Sequence, residues 1–144
     1  MEYSVHEDVK HVHSVSPAAL AADTNGASID TLDFEALEFL VHVGTAFVGG
    51  GFDISLEESD TGAFAGEENA VVTGDLVGDA ALTSGRGVVV AIGDTAKTYR
   101  LGYVGKKRFV RPVLTETGTI TGGVIGVSAI LARPKSAPVD DQNT

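Results

Sequence analysis

The chain has 144 residues, 43% of them hydrophobic and 21% charged, with three Tyr, six Phe, no Trp and no Cys. That is the size of one domain with enough core to stand without staples, and the missing cysteines exclude disulfides, thiolate metal sites and cysteine nucleophiles. A formal charge of −10 disfavours a phosphate backbone as partner, and no apolar run approaches the roughly 18 residues of a membrane helix.

The charge is uneven. Residues 1–96 sum to −15 and residues 97–144 to +5, with six of the ten bases between Lys97 and Arg111. An acidic body with a basic strip suits packing against copies of itself or another acidic protein; the alternative is a solvated strand pair whose lysines discourage edge-to-edge aggregation. The opening residues, Met1-Glu2-Tyr3-Ser4-Val5-His6-Glu7-Asp8, show no basic stretch followed by an apolar one, so no secretory signal is expected.

Taken in chain order, residues 1–16 are polar, hold three of the four histidines, and alternate weakly at Val5, Val9, Val12 and Val15. They form either an extended arm or a first strand. From Leu37 to Phe47 the odd positions are mostly apolar, which favours strand over the helix that Phe34–Leu40 alone would allow. Gly49-Gly50-Gly51 predicts a turn needing positive φ. Phe52-Asp53-Ile54-Ser55-Leu56-Glu57 alternates cleanly, and with Leu37–Phe47 it predicts a hairpin over one core face. Further strands are expected at Val71–Val77, Val88–Ile92 and Lys97–Val104, the last with Tyr99, Leu101 and Tyr103 on its core face. Gly105-Lys106 would turn into a strand over Lys107–Glu116. The final strand, Gly123–Arg133, sets Val127, Ala129 and Leu131 on one face. Residues 134–144 have no period and two prolines, and read as a tail. Nineteen Val and thirteen Thr, with turns at intervals of about ten residues, predict an all-β antiparallel sandwich or small barrel over residues 17–133.

Reactive chemistry has little to work with. His11-x-His13 puts two imidazoles on one face of an extended strand, but metal sites take three or four ligands and only His6 is near. The acids Asp53, Glu57, Glu58, Asp60, Glu67 and Glu68 lack the Asp-x-Asp-x-Asp-Gly spacing of a calcium loop, although Asp60-Thr61-Gly62 is a good turn. A carboxylate pair for glycoside hydrolysis would need a cleft lined with aromatics. No Gly-x-Ser-x-Gly occurs, the triglycine is not followed by Lys-Ser/Thr, and Ser84-Gly85-Arg86-Gly87 reads as a loop tip. The expectation is a chain without catalytic, cofactor-binding or metal-binding residues, and without enzyme activity. Lys106-Lys107-Arg108 with Arg111 reads instead as half of a complementary protein contact. Arg108 and Arg111 are the better candidates for holding a carboxylate.

Five segments carry a family resemblance: Ala21-Ala22-Asp23-Thr24-Asn25-Gly26-Ala27-Ser28-Ile29-Asp30; Phe39-Leu40-Val41-His42-Val43-Gly44; Leu56-Glu57-Glu58-Ser59-Asp60-Thr61-Gly62; Arg100-Leu101-Gly102-Tyr103-Val104-Gly105-Lys106-Lys107-Arg108-Phe109-Val110-Arg111; and Ala132-Arg133-Pro134-Lys135-Ser136-Ala137-Pro138. Together, over residues 17–138, the chain resembles the cement (decoration) proteins of tailed bacteriophages, which sit on capsids built from the HK97-type fold. The resemblance implies a jelly-roll-like β-sandwich that binds the major capsid protein from outside as a homo-oligomer, dimer or trimer. It implies no cofactor, no nucleic acid and no membrane, with synthesis in the host cytoplasm and residence on the virion surface. It supplies no active-site residues. The expected partner contacts are Tyr3, Val5, Val9 and Val12 in the arm, and Lys106, Lys107, Arg108 and Arg111 in the basic strip. Other readings are a tail, neck or head-completion component, or a carbohydrate- or receptor-binding module that would depend on Tyr99 or Tyr103.

Overall fold

In the computed structural model the described residues are 4–65, 69–78, 86–91 and 93–139. A single helical turn, α1 (Val5–Asp8), precedes β1 (Val9–Ala18), β2 (Thr24–Asn25), β3 (Ile29–Asp30), β4 (Phe34–Val43), β5 (Val48–Ser59) and β6 (Asn69–Ala70). After a 3₁₀ turn at Thr73–Asp75 come β7 (Leu76–Gly78), β8 (Arg86–Val90), β9 (Lys97–Tyr103), β10 (Phe109–Gly122) and β11 (Ile125–Pro134).

The strands form two antiparallel sheets. Among the described residues the front sheet has the order β1-β11-β4-β9-β7. The back sheet centres on β10 and β5, with β2 and β3 on the outer edge of β10 and β6 and β8 on the outer edge of β5. Counting β2 and β3 between β1 and β4, and leaving β7 aside, the chain alternates between the sheets, with β5, β6 and β8 sharing the back one. This is the double Greek key of a jelly roll, and the all-β sandwich expected of the alternation is the fold.

Alternation dictates the core. Phe39 and Val41 of β4, Phe52, Ile54 and Leu56 of β5, Leu101 of β9, Leu114 of β10, and Ile125, Val127, Ala129 and Leu131 of β11 are all buried in one cluster between the sheets. Phe47 closes one end of it, edge-on to Phe52 at 5.6 Å between ring centroids. Such edge-to-face pairs add about 1 kcal/mol beyond their buried area.

Several local expectations are corrected. Leu37–Phe47 and Phe52–Glu57 do not pair as a hairpin. Their strands lie in opposite sheets, β4 between β11 and β9, β5 between β10 and β8. The link between them crosses the sandwich, pinned where the Gly44 N–H donates to Val124 O and Gly44 O accepts from the Ala96 N–H, each at 2.9 Å. Both strands still face one core, because alternation selects a face and is blind to which sheet carries it.

Gly49-Gly50-Gly51 is not a turn but the start of β5; the expected positive φ occurs at Gly49, at 80°, while Gly50 and Gly51 pair with Gly118 and Thr117. Cβ atoms at Gly50 and Gly51 would stand 2.4 Å from Thr117 O and 2.0 Å from Val90 O. The glycines therefore serve close approach of two neighbouring backbones. Arg86 and Gly87 belong to β8 rather than to a loop tip, and Ser84 and Gly85 lie outside the described residues. Of the strand expected at Val71–Val77 only Leu76 and Val77 form one, in β7, because the 3₁₀ turn takes Thr73–Asp75.

At the N-terminus, Val9–Ala18 is a strand and not a free arm: β1 pairs with β11 from Val9↔Ala132 to Ala18↔Ile125. Val5–Asp8, just before it, form α1, which buries nothing. The C-terminal segment folds back, with the Lys135 N–H donating to Asp33 O at 2.8 Å and the Val139 N–H to Glu7 O at 2.9 Å.

Candidate partner-binding face

The outer side of the front sheet carries an open groove. Because β4, β9 and β11 put their odd residues inward, Ala36, Glu38, Gly102, Ile130 and Ala132 point out, in the rows Ile130–Glu38–Gly102 and Ala132–Ala36. They floor an open groove of about 720 Å³ whose walls include Val77, Val104, Lys106 and Arg133. Gly102 gives it depth, since a Cβ there would sit 3.3 Å from Val77 O. Val77 and Val104 are 57% and 61% exposed, high for side chains that gain from burial. The rim charges are loosely paired: Arg100 lies 3.8 Å from Glu38, and Arg133 lies 3.8 Å from Glu35. Pairs this exposed contribute little to stability and leave the rim adaptable.

The basic strip behaves differently from the expectation. Arg108 donates to Asp30 through Nε at 2.8 Å and Nη2 at 2.7 Å. Arg111 donates from Nε to Oε2 of Glu57, its cross-strand neighbour, at 2.8 Å, with Nη2 2.7 Å from the same oxygen, and its guanidinium stacks 4.4 Å from the Phe64 ring. Lys107 pairs with Asp60. The Arg108 guanidinium holds the Asp30 carboxyl below its ordinary value; burial opposes this and the Leu32 N–H helps. The arginines do hold carboxylates, but those of their own chain. Of the four bases, Lys106 alone is exposed on the groove without an ion pair among the described residues.

The arm candidates separate too. Val5 is 74% exposed on α1, and Val9 sits at the outer edge opposite Ala132. Val12 packs against the core instead, because its register partner Ala129 faces inward; it is therefore not a free contact. Tyr3 lies outside the described residues.

Two carboxylate clusters escaped the sequence reading. Asp94 is buried between β8 and β9. It accepts from the Ala91 N–H at 2.9 Å and the Tyr99 hydroxyl at 2.6 Å, and pairs with Lys97. Burial works against its ionised form, yet these three donors together hold its pKa below the ordinary carboxylate value. At the other end of β9, the Tyr103 hydroxyl donates to Glu58 at 2.5 Å and accepts from the Lys107 N–H at 3.0 Å, tying the front sheet to the back. Burial, then the hydrogen bond to Glu58, push the Tyr103 phenol well up. Tyr99 packs against the core and Tyr103 belongs to it, so neither ring is offered as a stacking platform. The one signal available in sequence was the Asp94–Lys97 spacing after Gly93.

His42 is exposed on β4, with Nε2 3.2 Å from Ser128 Oγ and Nδ1 3.4 Å from Thr98 Oγ1. Among the described residues no group of three or more His, Asp or Glu side chains is placed to hold a metal ion.

The fold and this face define a jelly-roll β-sandwich with an open, partly apolar outer surface. No family model matches the chain, and no curated protein matches it. Among solved structures, the crystal structure of the SPBc2 prophage-derived protein YomS is similar at 14% identity and a TM-score of 0.47, over 91% of this chain and 100% of that one.

Proposed function

We propose that this chain is a virion structural protein that binds the outside of an HK97-type icosahedral capsid and stabilises it as a cement. The observation that carries the reading is the outer face of the front sheet. It is a partly apolar groove with exposed Val77 and Val104 and with Lys106, unpaired among the described residues, on a scaffold whose other strip charges are neutralised within the chain. Such a face gains by being covered. The resemblance of residues 17–138 to phage cement proteins names the class of surface that covers it.

The energetics follow from linkage. A protein that binds the assembled lattice and not the free subunit stabilises the lattice by RT ln(1 + [L]/Kd) at each site, and repetition across a shell, or oligomerisation, adds avidity. A rigid sandwich offers its face with little ordering cost. Val5 and Val9 extend the contact zone at the β1 edge. The strip residues Arg108 and Arg111 act by bracing β10, not by reaching a partner.

The test is to add the purified chain to particles that lack it and to image them. The expected result is regular, saturable occupancy of the outer surface, reduced when Val104 is changed to Glu. Absence of ordered density at saturating protein would overturn the reading. Occupancy confined to the tail or neck would favour a different virion role.

A further inference from the structure

The groove on the front sheet has a direction. Its floor is a cross-strand row in which Ile130 of β11 stands beside Glu38 of β4, Glu38 beside Gly102 of β9, and Gly102 beside Val77 of β7. Ala132 and Ala36 pair in the next row. Neighbouring strands lie about 4.8 Å apart, so four strands make a floor about 14 Å long that runs across them. An extended chain covers that length with four or five residues at about 3.3 Å each. β11, β4 and β9 each have a strand on both sides, so their backbone is engaged in ladders and an occupant is held through side chains.

The groove also has a sign. Lys106, Lys107 and Arg133 line it against Glu35 and Glu38, a surplus of positive charge on a chain whose formal charge is −10. Lys107 is engaged by Asp60, and Arg133 lies 3.8 Å from Glu35. Lys106 is exposed, with no ion pair among the described residues. The loop that carries it is braced on either side. The Val104 N–H donates to Asp75 O at 2.9 Å, the Lys107 N–H to the Tyr103 hydroxyl at 3.0 Å, and Arg108 O accepts from both the Thr31 N–H and its hydroxyl at 2.9 Å. The Tyr103 hydroxyl also underlies Gly105, where a Cβ would sit 2.4 Å from it. Such bracing presents the Lys106 ammonium at the groove wall with little backbone ordering left to be done on binding.

We infer that the groove takes an extended acidic segment of the partner, laid across β11, β4, β9 and β7, with apolar side chains on the floor and a carboxylate on Lys106. A basic segment would meet Lys106 with like charge, and a flat folded surface would bridge the walls and leave the depth over Gly102 unfilled. Arg133, loosely held by Glu35, is a second station for a carboxylate. It stands on β11, two strand spacings or about 10 Å from β9, whereas alternate side chains of an extended segment are about 7 Å apart. The long lysine and arginine side chains span that difference. The inference rests on the reading of this face as a binding surface and adds the kind of segment that it binds.

The test is a titration of the isotope-labelled full chain, followed through its amide resonances by NMR. The probes are a capped peptide of alternating Val and Asp, about six residues long, and its counterpart with Lys in place of Asp. The expected result with the Val–Asp peptide is saturable shifts at Gly102, Val104 and Lys106, with a dissociation constant below about 1 mM. Binding is at least about 10-fold weaker for the Val–Lys peptide, and about 0.5 M sodium chloride weakens the Val–Asp complex. Lys106→Glu lowers the affinity by about 10-fold or more, whereas Lys10→Glu, an equal change of charge on β1 away from the groove, leaves it within about twofold. An unchanged circular dichroism spectrum verifies that each variant is folded. Three results would overturn the inference: no saturable shift at about 10 mM peptide, equal affinity for the two peptides, or shifts confined to residues outside the groove. The same variants separate this inference from the capsid reading. Peptide binding without decoration of particles supports the groove's occupant and overturns the capsid partner. Decoration undiminished by Lys106→Glu, with no peptide bound, overturns the occupant and leaves the capsid partner standing.

Discussion

The basic strip that leads into β10 and the outer face of the front sheet make opposite use of their exposed side chains. On β10, Arg111 finds Glu57 in direct cross-strand register, and just before it Arg108 grips Asp30 and Lys107 holds Asp60, so the charges are spent inside the molecule. On the front sheet, Val77, Val104 and Ile130 have no such partners, and the charged rim is loose. The difference teaches that a charge asymmetry along a sequence need not become one on the surface. A jelly roll brings strands distant in sequence side by side, and its acids and bases meet there first. What is left for a partner is the apolar part of the outward alternation.

The comparison breaks most sharply at the buried carboxylate. Asp94→Ala strands the Tyr99 hydroxyl, the Ala91 N–H and Lys97 at once, and is expected to cost about 2–3 kcal/mol in urea denaturation. The pH dependence has a definite sign. Because Asp94 is held below its ordinary value of 3.8, its contribution is fully present above that value and is lost as the pH falls through the lower, folded-state pKa. Asp94→Asn should therefore differ from the native chain at pH 7 and approach it toward pH 2, with unfolding midpoints measured at each pH.

Next in size, Arg111→Ala should lower stability by about 1–2 kcal/mol, since the half-buried Glu57 carboxylate loses its hydrogen bond and ion pair with Arg111. A double-mutant cycle with Glu57→Ala measures the coupling directly. Smaller still, Val104→Glu should shift stability by less than about 0.5 kcal/mol while reducing occupancy on particles, which separates adhesion from folding. Arg108→Ala, at a solvent-exposed pair, should move the unfolding midpoint least of all. If Arg108→Ala instead abolished particle binding and Val104→Glu did not, the roles given to the two regions would be exchanged.

Much of the fold was legible because period-two alternation is a local property. β9 reads directly, with Tyr99, Leu101 and Tyr103 inward, and so do Phe52–Leu56 and Val127–Leu131. Strand partnership is not local. Nothing in Gly44–Phe47 distinguishes a hairpin loop from a crossing between sheets, and the meaning of Gly49-Gly50-Gly51 depends on Thr117 and Val90, far along the chain. The candidate face was hidden for the same reason. Its floor is assembled from β4, β9 and β11, and its depth depends on the absence of a side chain at Gly102. The strip residues were conspicuous in sequence as a run of like charge, and their acids could be matched to them only once β5 and β10 were seen as neighbours.

The seating of β11 between β1 and β4 has a consequence for how the protein is made. Translation delivers that strand after every other described one, yet β1 depends on it for its ladder and β4 for one of its two. A nascent chain can assemble β5 with β10 while β1, synthesised first, still waits for its only strand partner among the described residues. Closure of the front sheet thus becomes a late event with long loops to draw in, and folding is expected on the millisecond-to-second scale typical of such non-local pairing. Until then the unpaired edges are what a chaperone, or another copy emerging nearby, would encounter.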